Sequence, residues 1–387
     1  MTAEAGQPVT ARQTVEAEAP PPVMAEAGQA SAEKRPARGG VERAKRFLVR
    51  YSVPLFFAAM AVVAFAYAGL SWRFVANEVL TRFARDSIMA LAMVVPIVAG
   101  MGLNFGVTFG ALGGQLAMIA VTDLGIGGMG GLVVALAGGS ALGALFGLLL
   151  AALLNRARGK EMIVGIIASF LAAGIYQLIL MVAYGTIIPS HNPEMLLSRG
   201  VGARDTLDLV GVRGVLDNLA MVQVAGVKVP LATLALVGLC ALAVHGVLRS
   251  AQGNRLRAVG ADPEKALLAG LSVTSIRTSA VVVSTVLAAV AQMVYLQNVG
   301  TMNTYTAQKT AGYLAAAAIL AGGATVKRAT ISNALVGTVL FHFMFALSPL
   351  AGMNITGSPG LGEFFRTFIT YGTICVALFL TGLRERR

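Results

Sequence analysis

The sequence MGGLVVALAGGSALGALFGLLLAALL (residues 129–154) contains 26 consecutive residues without a charged side chain, and Arg156, Arg158 and Lys160 follow it closely. A helix of about 20 apolar residues is long enough to cross the hydrocarbon core of a bilayer. A cluster of Lys and Arg at the end of such a helix is typical of its cytoplasmic end. We therefore interpret residues 129–154 as a transmembrane helix that ends in the cytoplasm.

Further apolar segments occur on both sides of this helix. They are residues 53–70, 88–122, 162–188, 230–248, 276–299, 310–326, 330–350 and 364–383. The whole chain is 56% hydrophobic and 12% charged, with a mean hydropathy of +0.75, whereas soluble domains carry about 25% charged residues. The sequence therefore predicts an all-α, polytopic transmembrane helical bundle.

The segment 88–122 decides the number of crossings, because about 35 residues is long for one helix and short for two. If the segment crosses twice, the basic clusters that follow the later segments all lie on the cytoplasmic side. These clusters are Arg156, Arg158 and Lys160; Arg249, Arg255 and Arg257; Lys327 and Arg328; and Arg384, Arg386 and Arg387. We therefore expect about ten spans, a broken or short helix pair near residue 104, and both termini in the cytoplasm of a bacterial-type inner membrane.

The charged residues outside the apolar segments define the remaining organisation. Residues 1–45 are rich in Ala, Glu, Pro and Gly and predict a disordered cytoplasmic tail before a transmembrane domain at 46–387. Ala66-Tyr67-Ala68 resembles a signal-peptide cleavage site, but the basic region before the first span is too long for a signal peptide.

The net charge of +12 is explained by topology, so we expect no nucleic-acid partner. Cys240 and Cys375 are expected to be small buried hydrophobes, and no metal or cofactor site is predicted.

Two glycine patterns predict close helix contacts. Residues 100–115, GMGLNFGVTFGALGGQ, are dense enough in glycine either to break a helix at membrane depth or to let helices pack closely. In the next span, a small residue recurs every fourth position and predicts a packing seam. Its members are Ala135, Gly139, Gly143, Gly147 and Ala151.

The loop at 250–275 contains GNRLRAVGADPEKALLAGLSV (residues 253–273), which has the signals of a short capped helix on the cytoplasmic side. Asp262 suits the N-cap, Pro263 the first helical position, Glu264 the positive helix terminus and Gly270 a left-handed stop. Ala266, Leu267 and Ala269 would form a small apolar face. This chemistry alone leaves two interpretations open, an ordinary inter-span loop helix or a helix that docks into a groove on a partner protein.

This segment resembles the coupling loop of ABC importer permeases in the family that serves ribose and related sugars, branched-chain amino acids and nucleosides. The resemblance rests on the pattern G-x-x-L-R-A-x-G-x-x-P-x-x-A-x-x-x-G-L, and it extends to a glycine motif in the following spans and to an N-[LIF]-[SG] element with a Gly-Gln pair. The matching residues are Gly253, Leu256, Arg257, Ala258, Gly260, Pro263, Ala266, Gly270 and Leu271, then Leu320, Gly322, Gly323, Thr330 and Gly337, and also Asn104, Gly114 and Gln115. Ala329 and Asn333 stand where the family usually has glycine. The resemblance covers about residues 87–383.

The resemblance implies a permease subunit that pairs with a second permease, as a homo- or heterodimer, and with ATP-hydrolysing ABC subunits and an extracytoplasmic solute-binding protein. The chain has no G-x-x-x-x-G-K-[ST] motif, so ATP hydrolysis is expected in the partner and no enzymatic activity here. The expected contacts with the ATPase are Asp262, Pro263, Glu264, Ala266, Leu267 and Gly270. The external loop 189–229, with Asp205, Asp208, Arg213, Asp217 and Lys228, is expected either to dock the binding protein or to be an ordinary solvated loop.

Polar residues in or near the spans are the candidates for the substrate pathway, although each one alone is typical of a helix–helix hydrogen bond. As a set they favour an uncharged polar solute such as a monosaccharide or nucleoside. The candidates are Asn104, Gln115, Gln177, Gln292, Asn298 and Asn303. His342 is expected to be a packed core histidine.

Three other function classes compete with this interpretation. A secondary transporter driven by protons or ions needs ionisable groups at membrane depth, and the spans as drawn contain none in their middle. An intramembrane enzyme needs a catalytic cluster, which the sequence lacks. A channel remains a further alternative on the residues alone.

Overall fold

The computed structural model describes residues 51–157, 159–198 and 200–385, with side chains described up to residue 379. The predicted tail at 1–45 and the basic residues Arg43, Lys45, Arg46, Arg50 and Arg158 lie outside the described residues. So do Arg386 and Arg387.

The described chain is predominantly helical. The helices are α1 (Ser52–Ala68), α2 (Trp72–Ala92), α3 (Val94–Val98), α4 (Val107–Asp123), α5 (Gly128–Leu154), α6 (Glu161–Leu178), α7 (Val215–Leu219), α8 (Leu231–Arg249), α9 (Ala251–Ala261), α10 (Pro263–Leu268), α11 (Val273–Val299), α12 (Ala311–Ala321), α13 (Ile331–Thr356) and α14 (Pro359–Glu385). A π-helical turn at Ile179–Ala183 continues α6, and a short 3-10 helix occupies Pro193–Met195.

Four short strands lie between the helices and form two antiparallel pairs. Strand β1 (Thr206–Asp208) pairs with β4 (Thr301–Asn303), so it attaches the long loop after α6 to the end of α11. Strands β2 (Met221–Val224) and β3 (Val227–Pro230) form a hairpin whose turn contains Ala225 and Gly226, both with positive φ. The sheet content is therefore confined to loops, and the fold is an all-α bundle.

The bundle has two ends that the inter-helix loops define. At the end that carries the segment 250–275, here the coupling-loop end, Gly100 touches Gly260, and Asn155 donates to Thr278 Oγ1 at 2.9 Å. At the opposite end, here the long-loop end, Asp123 accepts from His191 N at 3.0 Å, and Asn354 donates to the Tyr67 carbonyl. Successive traversing segments alternate in direction between the two ends, and α12, with 11 residues, is shorter than the others.

Ten segments of the described chain traverse the bundle: α1, α2 continued by α3, α4, α5, α6, α8, α11, α12, α13 and α14. Among the described residues, α5, α6 with its π turn, α8, α11 and α13 are long and apolar enough to cross a membrane by length and composition. Helices α1, α4 and α12 are apolar but shorter. The predicted all-α polytopic bundle is confirmed, and so is the short helix pair near residue 104.

The boundary of one predicted span is wrong. The segment 88–122 is traversed twice, but the first pass begins at Trp72 rather than at residue 88. Helix α2 thus carries Glu78, Arg82, Arg85 and Asp86 into the bundle. Local pairing made this possible, because Glu78 accepts from Arg82 Nε at 2.6 Å one helical turn away. The spans as drawn have no ionisable residue in their middle, but this longer first pass does carry charged residues, and the expectation is corrected for it.

Glycine has both of its predicted uses in residues 100–115. Gly100 and Gly102 have φ of 75° and 71°, so they end α3 in a non-helical segment that leads to α4. Within α4, a Cβ at Gly110 would overlap the Thr285 carbonyl of α11, and one at Gly113 would lie 2.9 Å from the Gly143 nitrogen of α5. The break and the close packing therefore occupy successive parts of the same segment.

The predicted seam on α5 is confirmed. Ala135, Gly139, Gly143, Gly147 and Ala151 are all buried on one face of α5. The residues that face them are on α4 and α11, including Thr285, Ala289 and Met293. Three helices thus approach at backbone distance, and they form the centre of the bundle.

Two further observations concern buried and exposed polar groups. Arg277 of α11 donates to Glu161 Oε1 of α6 at 2.8 Å, and both side chains are less than a tenth exposed. This pair joins two helix N-termini at the coupling-loop end. Cys240 is buried as expected, but Cys375 is exposed, because its side of α14 faces away from the bundle.

Candidate functional sites: the coupling loop and a cavity in the bundle

The loop at 250–275 folds as two short helices joined at Asp262. The Asp262 side chain accepts from the amides of Glu264 and Lys265, both at 3.1 Å, and Pro263 occupies the first position of α10. The backbone amide and the side chain of Lys265 both donate to the Asp262 carboxylate, and so does the Glu264 amide. These hydrogen bonds lower the pKa of Asp262 below its usual value. Gly270 ends the segment with φ of 79°. The predicted capped helix is therefore present.

Of the three residues expected to form the apolar face of α10, Leu267 and Ala269 are exposed and Ala266 is not. Ala266 is only 4% exposed, because it turns toward its own chain, whereas Leu267 is 61% exposed and Leu268 is 87% exposed. Asp262 sits above them in an ion pair with Lys265 at 3.1 Å. The apolar surface available to a partner is thus the Leu267–Leu268 pair. Leu268 was missed, because helix orientation on the bundle is a tertiary property.

Helix α9 connects this surface to the interior. Leu256 and Val259 are buried, and a Cβ at Gly260 would overlap the carbonyl of Val98 at the end of α3. Gly100 lies on the other side of this contact, so the α3 break and the α9–α10 corner touch backbone to backbone. The non-helical segment between α3 and α4 is therefore in direct contact with the end of α9, which leads into α10.

Three of the six candidate pathway residues converge on the turn that follows β4. Gln115 donates to the Thr304 carbonyl at 2.8 Å, and Gln177 donates to the Tyr305 carbonyl at 2.8 Å. Asn303 accepts from the Thr306 amide at 2.9 Å and donates to Asp205. Their polar atoms satisfy the backbone of a non-helical segment that precedes the short helix α12.

The other candidates lie apart from that turn. Asn104 donates to Ser284 Oγ at 3.2 Å and caps the Gly106 amide, which stabilises the α3–α4 break. Asn298 donates to Asp217 at 2.7 Å. Gln292 is 2% exposed and lines a cavity between α2, α11, α12 and α13. Its Nε2 atom has no hydrogen-bond partner among the described residues.

The long loop is attached to the bundle by two buried carboxylates. Asp123 at the end of α4 accepts from Tyr184, Ser190 and His191, which fixes the start of the loop. Asp217, expected to be an exposed loop charge, is 6% exposed and accepts from Thr233, Gln297 and Asn298. Its burial is explained by this network, and it anchors α7 to α8 and α11.

A polar cavity inside the bundle was not predicted. Its inner end, about 40 Å³, is lined by Arg85, Asp86, Gln292, Tyr295 and His342 among others. The Nε2 atom of His342 lies 3.1 Å from Asp86 Oδ2, so this histidine is buried as expected but paired with a charge. A signal was present in the sequence: Glu78, Arg82 and Asp86 recur every fourth residue, which predicts one polar helix face.

A neighbouring pocket of about 320 Å³ shares Arg85, Asp86, Tyr295 and His342 with this inner end, and we call it the wide part of the cavity. The guanidinium groups of Arg82 and Arg366 lie over the Phe345 ring, at 5.2 Å and 5.1 Å from its centroid. Arg85 lies 5.1 Å from the Tyr295 ring centroid. Arg366 also pairs with Glu363 at 3.0 Å. The wide part is therefore lined by cation–aromatic pairs.

Comparison with known proteins identifies one family. A family model described as the branched-chain amino acid transport system / permease component matches residues 75–376. No curated protein sequence and no solved structure matches the chain. The match begins within α2 and ends within α14, so it includes the coupling loop, the long loop and the cavity. Together with the multi-pass helical bundle, it shows that the chain belongs to this family of ABC transporter permease components.

Proposed function

We propose that this protein is the membrane-spanning subunit of an ATP-driven importer of a small polar solute, and that partner ABC subunits hydrolyse the ATP. The observation that carries this proposal is the α10 surface. An N-capped helix with two adjacent exposed leucines, held on a backbone contact with the α3 break, is suited to dock into a groove and transmit force. Membership of the permease family supports the same assignment.

The proposed mechanism starts at the coupling loop. When two ATP-bound partner subunits close, they move the α10 helices that are seated on them. The movement reaches the segment between α3 and α4 through the contact of Gly260 with Gly100. Because that segment is non-helical and lies against α5 and α6, it is a suitable hinge for opening the pathway to one side and then the other.

We place the coupling-loop end in the cytoplasm of the inner membrane. The exposed basic residues of the described chain support this orientation, since the coupling-loop end carries most of them. They are Arg156, Lys160, Arg249, Arg255, Arg257, Lys265, Lys327 and Arg328. The long-loop end then faces the extracytoplasmic side. There, the β2–β3 hairpin with exposed Met221, Val222 and Val224 is proposed to dock a solute-binding protein.

The charged mouth of the cavity supports pairing with a second permease. Arg366 is about a third exposed on the bundle surface, and Tyr371 and Phe368 beside it are more than half exposed. Ionisable groups in membrane segments face protein or water-filled paths rather than lipid. A homologous or identical subunit that covers this surface would enclose the pathway between the two chains.

The test uses the full chain co-expressed with its candidate ATPase subunit. We expect Leu267→Asp and Leu268→Asp each to reduce co-purification of the ATPase at least tenfold, because a carboxylate would have to be buried in the docking groove. The matched control is Leu219→Asp, which changes an equally exposed leucine at the long-loop end. Ala266→Asp is unsuitable, since Ala266 is buried in its own chain.

Transport then distinguishes the function classes. In vesicles that contain the complex, solute accumulation is expected to require ATP and to be lost in Leu268→Asp. It should be retained in Leu124→Asp, which changes an exposed leucine between α4 and α5, outside the loop 189–229. Accumulation that proceeds without ATP and is unaffected by Leu268→Asp would contradict the importer proposal.

One observation favours a second candidate, a proton-coupled secondary transporter. Asp86 and His342 form a contact at 3.1 Å within the bundle, and such pairs occur in proton relays. The same vesicle assay tests it, because transport by this mechanism would collapse on addition of a protonophore in the presence of ATP. The family match places more weight on the ATP-driven proposal.

A further inference from the structure

The start of α11 contacts three other segments through three consecutive residues. Each of the three makes a side-chain hydrogen bond to a different segment at the coupling-loop end. The pairs are Arg277 with Glu161 of α6 at 2.8 Å, Thr278 with Asn155 after α5 at 2.9 Å, and Ser279 with Gln252 of α9 at 2.7 Å. Because α9 belongs to the coupling loop, the start of α11 joins that loop to α5 and α6.

The charged pair of this set is buried. The side chains of Arg277 and Glu161 are both less than a tenth exposed. Removing two charges from water costs about as much as their attraction returns, so a buried ion pair adds little net stability. Arg277 is also close to the N-terminus of α11, where a cation gains nothing from the helix dipole. The role that remains for the pair is to fix one arrangement of α6 against α11.

Apolar packing does little to hold α6 in place. Along most of its length, α6 has apolar side chains that are at least half exposed. They are Ile163, Ile167, Phe170, Leu171, Ile175 and Leu178. In a bilayer these side chains meet lipid tails that are as apolar as they are, so a shift of α6 carries no hydrophobic cost on this face. The position of α6 therefore depends on its polar contacts.

The polar contacts of α6 beyond Glu161 lead to two non-helical segments of the bundle. Ser169 donates to the Phe105 carbonyl, at the α3–α4 break, at 3.1 Å. Gln177 donates to the Tyr305 carbonyl, in the turn after β4, at 2.8 Å. Helix α6 therefore connects the coupling-loop end of the bundle to both of these segments.

We infer that Arg277 and Glu161 are positioning residues that tie α6 to the coupling loop, so that a movement of the loop carries α6 with it. The link runs from Gln252 of α9 to Ser279, along α11 to Arg277, and from there to Glu161. The inference rests on the proposed function, because it names a connection by which ATP-driven movement of the coupling loop reaches the pathway. It is separate from the contact of α9 with the end of α3, which does not involve α6.

The test follows α6 with a fluorescent probe, so it does not require the solute. The full chain with Cys375→Ser, which removes an exposed thiol, is purified with its candidate ATPase subunit. Bimane is attached at Leu178→Cys, at the exposed far end of α6. A second sample carries bimane at Lys265→Cys on α10, which is also exposed. We expect trapping with ATP and vanadate to change the fluorescence at both positions.

The decisive variant removes both charges together, as Glu161→Met/Arg277→Met, because a single substitution would leave the other charge buried and unpaired. In this double variant, the ATP-dependent change at Leu178→Cys is expected to fall at least tenfold. The change at Lys265→Cys and the co-purification of the ATPase should be retained, since the docking surface is untouched. The exchanged pair Glu161→Arg/Arg277→Glu is expected to restore the change at Leu178→Cys, which a role in packing alone would not do.

The matched control is Thr338→Val, which changes a buried residue of α13 whose hydroxyl donates to the Ala334 carbonyl of its own helix. Both probes should respond to ATP in this control as they do in the unmodified protein. An undiminished change at Leu178→Cys in the double variant would overturn the inference. So would an equal loss at both probes, an equal loss in Thr338→Val, or an exchanged pair that behaves like the double variant.

Failure of this inference and failure of the proposed function give different results. If Lys265→Cys responds to ATP and the probe on α6 responds with or without the ion pair, the importer proposal stands and the link through Arg277 and Glu161 fails. If ATP changes neither probe while both charges are present, the importer proposal and this inference fail together.

Discussion

At the scale of single residues, the coupling loop shows how far local chemistry determines structure. Asp262, Pro263 and Gly270 each occupy the position that their backbone preference predicts, because capping needs no more than a few neighbouring residues. The side on which α10 is exposed depends instead on how the helix packs against the bundle. Ala266 and Leu267 are adjacent and both apolar, yet one is buried and the other is exposed.

The Asp262 cap predicts a pH dependence for α10. The folded pKa of Asp262 is lowered, mainly by its hydrogen bonds with Lys265. Its contribution to the stability of α10 is therefore fully present above the pKa of Asp262 in the unfolded chain, and it is lost as the pH falls through the lowered pKa of the folded state. The protection factors of the amides 264–268, taken relative to the intrinsic exchange rate at each pH, should be high near neutral pH and several-fold lower in acid.

Two variants separate the cap from other effects of acid. Asp262→Ala is expected to lower the protection of the amides 264–268 at neutral pH, and Asp262→Asn should stay protected, since Asn is also a good N-cap. Exchange that is the same in Asp262→Ala and the unmodified protein would show that the cap contributes nothing to α10.

At the scale of elements, the close approach of α4, α5 and α11 depends on which glycines face a neighbour. A Cβ at Gly110 would meet the Thr285 carbonyl, and one at Gly114 the Ala289 carbonyl, whereas a Cβ at Gly138 would meet nothing within 4 Å. All three are glycines within apolar helices, so their sequence surroundings are similar. Only the packing of the helices tells them apart.

This difference gives a direct prediction. Gly110→Ala is expected to lower the melting temperature by several degrees, because a backbone carbonyl cannot move aside without shifting α11. Gly138→Ala should leave the melting temperature unchanged or raise it slightly, as alanine is the better helix former. Thermal unfolding of both variants in the same detergent checks the comparison. Equal loss in both would mean that α4 and α11 do not approach as closely as described.

At the scale of the whole molecule, the direction of insertion is the property on which the functional proposals depend. If the coupling-loop end is cytoplasmic, Lys265 and the hairpin residue Gln223 lie on opposite sides of the membrane. Both residues are exposed, so a cysteine at either position is accessible to a reagent on its own side.

We expect a membrane-impermeant maleimide to label Lys265→Cys only in inside-out vesicles and Gln223→Cys only in intact cells. Cys375→Ser provides the background, because Cys375 is exposed while Cys240 is buried. The opposite labelling pattern would contradict the cytoplasmic position of the coupling loop, and with it the docking of an ATPase there.

The sequence by itself determined the class of the fold, the number of passes and the caps of α10. The length of the apolar segments and the placement of Lys and Arg determine how the chain crosses a membrane. Asp, Pro and Gly act on the backbone next to them. Neither effect depends on tertiary contacts, so the sequence alone predicts both. It also carried the resemblance to ABC permeases, which the family match at 75–376 confirms. The polar pathway residues were chosen by type alone, and of these only Gln292 lines the cavity at its inner end.

Only the tertiary structure decided which charged residues lie inside the bundle. Residues 72–87 are polar by composition, so a hydropathy argument ends the span at residue 88. In the structure, Asp86 pairs with His342, which lies 256 positions later in the sequence, and Arg82 stacks on Phe345. Such long-range pairing makes a charged helix tolerable inside a membrane bundle. The cavity exists because five segments meet there, and no local pattern encodes that meeting.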